Sequence, residues 1–140
     1  MNIHGIDNFQ NKNSFYKYRL KELKKFRNYK HLEENLINYK KVKTIIKDFS
    51  PDLIIHFAAI PGVIYSKKYP LKSYKNNILS TLNILEAMRE NKIKNIIFAS
   101  SSSVYGEKDK KFNEDKKILS NHSSVYSASK HACEELLISY

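Results

Sequence analysis

Residues 53–59, Leu-Ile-Ile-His-Phe-Ala-Ala, form a nearly continuous apolar run, and residues 93–99 close on a second, Ile96-Ile97-Phe98-Ala99. An exposed antiparallel strand alternates apolar with polar positions, whereas a run without alternation marks a strand buried on both faces of a parallel sheet. Parallel neighbours need a long crossover, usually a helix. Residues 71–91 supply one, with Ile78, Leu82, Leu85 and Met88 at helical spacing. Pro61, Gly62 and Pro70 mark the loop leading into it.

The same alternation extends in both directions. Residues 3–7 read as the end of a strand, and residues 14–27 as an amphipathic helix with Tyr16, Leu20, Leu23 and Phe26 on one side. Residues 31–37 read as a short strand. Asn38 caps a helix over 39–49 carrying Val42, Ile45, Ile46 and Phe49, and Ser50-Pro51-Asp52 stops it. Ser100 to Ser103 leave the strand at 93–99, and a polar, Lys-rich connection runs to His122. Ser123 or Ser124 opens a last helix with Val125, Ala128, Ala132, Leu136 and Leu137 at core spacing. Four strand–helix alternations predict an α/β fold, a parallel sheet with helices on both faces, in one unit spanning residues 1–140. Ligands on such sheets sit at the carboxyl ends of the strands. Asp7, Phe57-Ala58-Ala59 and Ser100 to Ser103 all fall at such ends.

The net charge of +11 raises the question of nucleic acid. Of 25 basic residues only Arg19, Arg27 and Arg89 are arginines, and the lysines are spread along the chain. Base readout favours Arg forks and backbone binding a concentrated basic stripe, so no specific nucleic-acid partner is expected. Pairs such as Lys24-Lys25, Lys40-Lys41, Lys67-Lys68, Lys110-Lys111 and Lys116-Lys117 read as solvated faces and loops. No apolar run approaches the roughly 18 residues that cross a bilayer, and residues 1–7 lack the layout of a secretory signal; no membrane partner and a cytoplasmic setting are the expectation. Cys133 is the single cysteine, which excludes an internal disulfide. His4, His31, His56, His122 and His131 show no metal-ligand spacing, so no metal is expected. His56 reads as a core residue and Glu134-Glu135 as a solvated helix face.

Tyr126-Ser127-Ala128-Ser129-Lys130 puts a phenol and an amine four residues apart, on one face of a helix. A free tyrosine is a poor base at neutral pH. A neighbouring ammonium favours the phenolate, as does the positive charge of an oxidised nicotinamide. A serine hydroxyl at the tip of the strand at 93–99 would complete the set by hydrogen-bonding the substrate oxygen whose proton is removed.

With these motifs in view, the chain resembles the extended short-chain dehydrogenase/reductase family, in its branch of NAD-dependent nucleotide-sugar epimerases and dehydratases. Ile54-Ile55-His56-Phe57-Ala58-Ala59, Asn76-Asn77 with Thr81-Leu82-Asn83, Ser101 to Gly106 and Tyr126 to Lys130 match in order and spacing. Gly62-Val63, Tyr65-Ser66, the four serines and Asp7-Asn8-Phe9 look most like the UDP-glucuronate 4-epimerases. The resemblance implies a Rossmann-type sheet and NAD as cofactor. It implies that Asp7, with Asn8 beside it, binds the adenine ribose, and that Phe57, Ala58 and Ala59 line the cofactor channel. Asn76 would lie near the ribose and phosphates. Tyr126 would be the base, Lys130 would hold the nicotinamide ribose, and Ser101 would align with the family's catalytic hydroxyl. Ser102 and Ser103 would touch a UDP-sugar. The implied reaction oxidises and re-reduces the sugar's fourth carbon through a 4-keto intermediate. A homodimer through the Tyr-Lys helix is implied by analogy.

A 4,6-dehydratase, the nearest competitor, typically carries an Asp-Glu pair where this chain has Ser102 and Ser103, which cannot act as carboxyl acid and base. The chain departs from the family in other ways. The family's first strand and Gly-rich turn have no counterpart here, and none of Gly5, Gly62 and Gly106 belongs to a phosphate-binding cluster. The later strands and sugar-binding lobe have none either. Asn35 stands where an Asp is common, and Pro61 and Ile64 replace an Ala and an Arg. The expectation is therefore a partial sheet, its first strand missing, that is inactive alone or a catalytically dead, binding-only remnant.

Overall fold

Strand and helix alternate from the first residues of the computed structural model, which describes residues 1–9, 14–106 and 122–140. The order is β1 (Ile3–Asp7), α1 (Ser14–Leu23), β2 (Tyr29–Glu33), α2 (Tyr39–Phe49), β3 (Ile54–His56), α3 (Val63–Lys68), α4 (Pro70–Glu90), β4 (Ile96–Phe98), a 3-10 turn (Ser102–Tyr105) and α5 (Val125–Ser139). β1 pairs with β2 in parallel, from Ile3 opposite Tyr29 to Asp7 opposite Glu33. β3 pairs with β4 in parallel, with Ile54 opposite Ile96 and His56 opposite Phe98. The fold is α/β of Rossmann type, but the strands form two separate two-stranded sheets with no ladder between β1 and β3.

The main core lies where α2 meets α4. Val42 and Ile46, one turn apart on α2, pack with Ile84, Leu85, Ala87 and Met88 of α4, and Ile54 and Ile96 bring the β3–β4 sheet against them. α2 has the predicted limits because both ends are capped. Asn38 Oδ1 accepts the Lys41 amide at its start, and Ser50, in the left-handed region at φ 46°, turns its amide back to the Ile46 carbonyl. Asn83 of α4 donates to the carbonyls of Leu36 and Ile37, fixing the turn between β2 and α2.

Several elements differ from the sequence reading. α1 stops at Leu23, and residues 24–28 form tight turns delivering the chain to β2, which leaves Phe26 exposed. β2 begins two residues earlier than expected and ends at Glu33, since Asn35 Oδ1 accepts the Ile37 amide and closes a turn. β3 and β4 are shorter than the apolar runs and are not buried on both faces. Ile55 and Ile97, paired across the ladder, are each 53 % exposed on the side away from α2 and α4. The extra helix α3 follows Gly62, whose φ of 104° only glycine adopts without strain. Of the predicted α4 stripe, Leu85 and Met88 are buried, Ile78 and Leu82 only partly. The predicted apolar face of α5 is also only partly buried. Ser127, Ser129, Lys130 and Cys133 are its buried residues, because the facing surface of α4 is itself polar. Glu135 is exposed as expected, but Glu134 is half-buried and one of its oxygens is buried without a partner. The Lys-rich connection with its Lys110-Lys111 and Lys116-Lys117 pairs lies outside the described residues. Among the described residues no helix is long and apolar enough to cross a membrane.

Candidate functional site

The carboxyl ends of β1 and β3 open on a common cavity of about 610 Å³. Asp7, Asn8, Ala58, Ala59 and Asn76, five of the residues expected to hold a cofactor, line it together. Asp7 Oδ1 accepts the Phe9 amide at 2.7 Å, which bends the chain away from the strand tip. Phe9 pays for that bend with a φ of 52°, a conformation uncommon for a bulky residue. Its ring is buried between Tyr16 and His31, at centroid distances of 4.0 and 4.7 Å. Asn35, which stands where the family commonly has an Asp, also lines the cavity. Lys72 brings a cation to the same wall. Phe57 is 72 % exposed and lines a second cavity, between β1 and β3, which Ala58 and Ala59 line as well.

The residues expected to carry chemistry gather on α5 and the tip of β4. α5 starts at a capping box in which Ser124 Oγ accepts the Ser127 amide and Ser127 Oγ accepts the Ser124 amide. From there Lys130 reaches back to β4. Its ammonium donates to the Ala99 carbonyl at 2.7 Å and lies 4.5 Å from the centre of the Phe98 ring. Lys130 is 3 % exposed, and burial pulls its pKa below the ordinary lysine value, with Cys133 and Glu134 acting in the opposite sense. The Tyr126 amide donates to Ser66 Oγ of α3, which is fully buried. The Tyr126 hydroxyl has no hydrogen bond among the described residues, and the Lys130 ammonium is bonded to Ala99 instead, so the two share a helix face without a direct bond between them. Ser101 Oγ accepts from both the amide and the hydroxyl of Ser103, and so caps the 3-10 turn. Ser102 is exposed and Ser103 half-buried on that turn. The Ser100 hydroxyl, beside them, is buried without a partner.

A polar hub behind the site escaped the sequence reading. Asn77, 2 % exposed, accepts the Ile60 amide at 2.7 Å and donates to the Ile60 carbonyl and to Ser129 Oγ. It thereby ties the loop after β3 to the helix that carries Tyr126 and Lys130. Its carbonyl accepts from Thr81, and with the Thr81 proton used there, the His56 ring nitrogen at 3.0 Å acts as donor to the Thr81 oxygen. Burial, and secondarily the Lys130 ammonium, push the His56 imidazole down to about 4, so it is neutral at pH 7. This agrees with His56 as a core residue. Cys133 is buried, its thiol pushed up by burial and directed at the Asn77 carbonyl. The one cue to this hub in the sequence was the Asn76-Asn77 pair, and nothing in a single sequence said which of the two turns inward. His122 and His131 lie within 2.8 Å of each other, a pairing that spacing did not suggest.

The chain belongs to the family described as the NAD dependent epimerase/dehydratase family, whose profile matches residues 1–140. It is 37% identical over 123 residues to a UDP-glucuronate 4-epimerase of Thermodesulfobacterium geofontis, covering 88% of this chain and 38% of that protein. Among solved structures it is similar to UDP-glucose 4-epimerase from Bifidobacterium longum in complex with NAD+ and UDP, at 27% identity and a TM-score of 0.87, covering 99% of this chain and 41% of that one. The UDP-Glc/GlcNAc 4-epimerase from Campylobacter jejuni is similar at 30% identity and the same TM-score, over 98% of this chain and 40% of that one. The chain thus spans about two-fifths of the length of these relatives.

Proposed function

We propose that this chain supplies the cofactor-facing and proton-transfer residues of an NAD-dependent nucleotide-sugar 4-epimerase, with UDP-glucuronate as the sugar nucleotide, in the cytoplasm. The observation that carries the reading is the shared cavity at the ends of β1 and β3, which collects an acid (Asp7), two small residues (Ala58, Ala59) and amides (Asn35, Asn76) on one rim. These groups suit the adenosine half of NAD: an acid for ribose hydroxyls, alanines for close approach, and amides for a polar ring edge. NAD, when bound, takes up and returns the hydride at the sugar's fourth carbon. Tyr126 takes the hydroxyl proton. Lys130, held by the Ala99 carbonyl, would hold a nicotinamide ribose hydroxyl when the cofactor is bound. Ser101 orients the substrate oxygen, with Ser102 and Ser103 beside it. Serines at those two positions favour epimerisation over 4,6-dehydration, since neither supplies a carboxyl group.

None of the three glycines lines the carboxyl-end cavity, so these residues offer the pyrophosphate no glycine-rich cradle. We therefore infer that residues 1–140 act as one partial unit that is inactive in isolation. Calorimetric titration with NAD tests both points. The expected result is saturable binding with a Kd of about 1 mM or weaker, weakened further by Asp7→Ala and unchanged by Lys24→Ala. No saturable binding, or binding indifferent to Asp7, overturns the cofactor reading. Micromolar binding overturns the inference of inactivity. Addition of UDP-glucuronate to the NAD-saturated chain, followed by chromatographic separation of the sugar nucleotide from its 4-epimer, is expected to show no turnover. A homodimer through α5 belongs to the same proposal and is read from sedimentation, with no nucleic acid or membrane required.

A further inference from the structure

Residues 17–27 carry six basic side chains, Lys17, Arg19, Lys21, Lys24, Lys25 and Arg27, against the single acid Glu22, a local net charge of +5 within a chain total of +11. Lys25 pairs with Glu22 at 2.7 Å, and the other five make no ion pair among the described residues. Tyr16 and Leu20, one turn apart on α1, are half-buried, and the Tyr16 ring packs on Phe9 at 4.0 Å. That side of the helix faces the protein. Lys17 and Lys21, also one turn apart, are exposed, and Phe15 and Tyr18 form a row of rings beside them. The turns over 24–28 continue the exposed stretch with Phe26 and three further cations. Phe15, Tyr18 and Phe26 are between 62 and 70 % exposed. Rings left this open among unpaired cations do little for the chain's own core, and clustered exposed apolar area marks a contact surface.

We propose that the outer face of α1 and the turn after it form a docking surface for an anionic lipid bilayer, with the cations over the headgroups and the rings set among them. Charge complementarity selects an anionic partner, since a basic cluster on an amphipathic helix is drawn to acidic lipids. Shape selects a flat one. A helix surface is convex, and none of Phe15, Lys17, Tyr18, Lys21 and Phe26 lines either cavity described above. A single nucleic-acid strand is instead held in a basic groove with stacking platforms. Four of the six cations are lysines, mobile point charges that suit a fluid array of headgroups better than one fixed anion. Two of the three rings are phenylalanines, with no polar group to satisfy at an acyl boundary. The lack of a membrane-crossing helix among the described residues bears on spanning a bilayer and not on lying against one. The contact uses no residue assigned to cofactor binding or proton transfer, and so stands apart from the proposed reaction.

Co-sedimentation of the full chain with vesicles tests it, using phosphatidylcholine alone and phosphatidylcholine with phosphatidylserine at about 2:1. The expected result is binding to the mixed vesicles only. Lys17→Glu with Lys21→Glu should weaken it by about tenfold or more. Lys40→Glu with Lys47→Glu makes the same change in net charge at exposed positions of α2 and should weaken it much less. Phe15→Ser with Tyr18→Ser, at unchanged charge, should weaken it by about threefold or more. All six positions are exposed, so the variants are expected to unfold at the same denaturant midpoint as the unchanged chain, and Lys17→Gln with Lys21→Gln replaces a charge-reversed pair that does not. No binding to the mixed vesicles overturns the proposal. So does an equal loss from the two charge reversals, which would reflect net charge alone, or full binding by the ring variant. Displacement from the vesicles by single-stranded oligothymidylate that binds more tightly through Phe15 and Tyr18 overturns it in favour of nucleic acid.

Discussion

Around α2, α4 and α5 the interior is built of aliphatic and small polar side chains, whereas around β1 and β2 it is built of rings. On the first side Val42, Ile84, Leu85, Ala87 and Met88 close an apolar core, Asn77 bonds Thr81 and Ser129 behind it, and Ser127 pairs with Ser124. On the second, His4 stacks on Phe49 and Phe9 on His31 and Tyr16, and Phe9 is the only buried hydrophobic residue within residues 1–33 that the structure describes. His4 Nδ1 and His31 Nε2 remain buried without partners there. Flat rings cover area without interlocking. The half that carries Lys130 is thus closed by its own side chains, while the half that carries Asp7 leaves ring nitrogens without partners.

Leu85→Ala would strike that contrast hardest. Truncating this 3 % exposed side chain is expected to cost roughly 2–5 kcal/mol, measured by denaturant unfolding. His4→Ala, which removes only a half-buried stack, is expected to cost much less. An equal loss from the two would erase the distinction. Next comes pH. His56 has its folded pKa depressed from 6.5 to about 4, so the folded state binds fewer protons than the unfolded. Its contribution is fully present above pH 6.5 and is lost as pH falls toward 4, an interval worth at most roughly 3 kcal/mol. H56Q should flatten that part of the stability–pH curve. H31Q, in the ring-built half, should flatten it less, because Asp7 opposes the burial that lowers His31.

Asn77→Ala sharpens the comparison at the site itself. It strands the Ile60 amide, and a cost of about 1–3 kcal/mol is expected. Exchange of amides on α5 should rise with it, while β1 amides stay unchanged. The smallest effect belongs to Lys43, whose bond to Glu90 at 2.8 Å joins α2 to α4 on an exposed surface. Lys43→Ala should change stability by no more than about 0.5 kcal/mol, and less in high salt.

The strand–helix order, both ends of α2 and a serine cap on α5 follow from apolar period and capping chemistry, which act between residues a few positions apart. The same local rules put Tyr126 and Lys130 on one helix face, and the positions of Asp7, Ala58 and Ala59 at strand ends were enough to predict a shared rim. That Phe57 lines the cavity between β1 and β3 and not the one at the carboxyl ends was not legible, because a family motif does not state to which face each member turns.

What the chain's own letters determined, then, is which residues share a face and where elements begin and stop. What only tertiary structure decided is what each face meets. The buried side of α5 is polar because α4 presents Asn77 and Thr81 to it, and Lys130 is held by the carbonyl of Ala99, 31 residues away. β3 and β4 keep one open face, and β1 and β3 stand apart across a slot. Periodicity encodes a residue's side of a helix or strand. The partner across the gap is chosen by packing and hydrogen bonding over the whole fold, where no local spacing reaches.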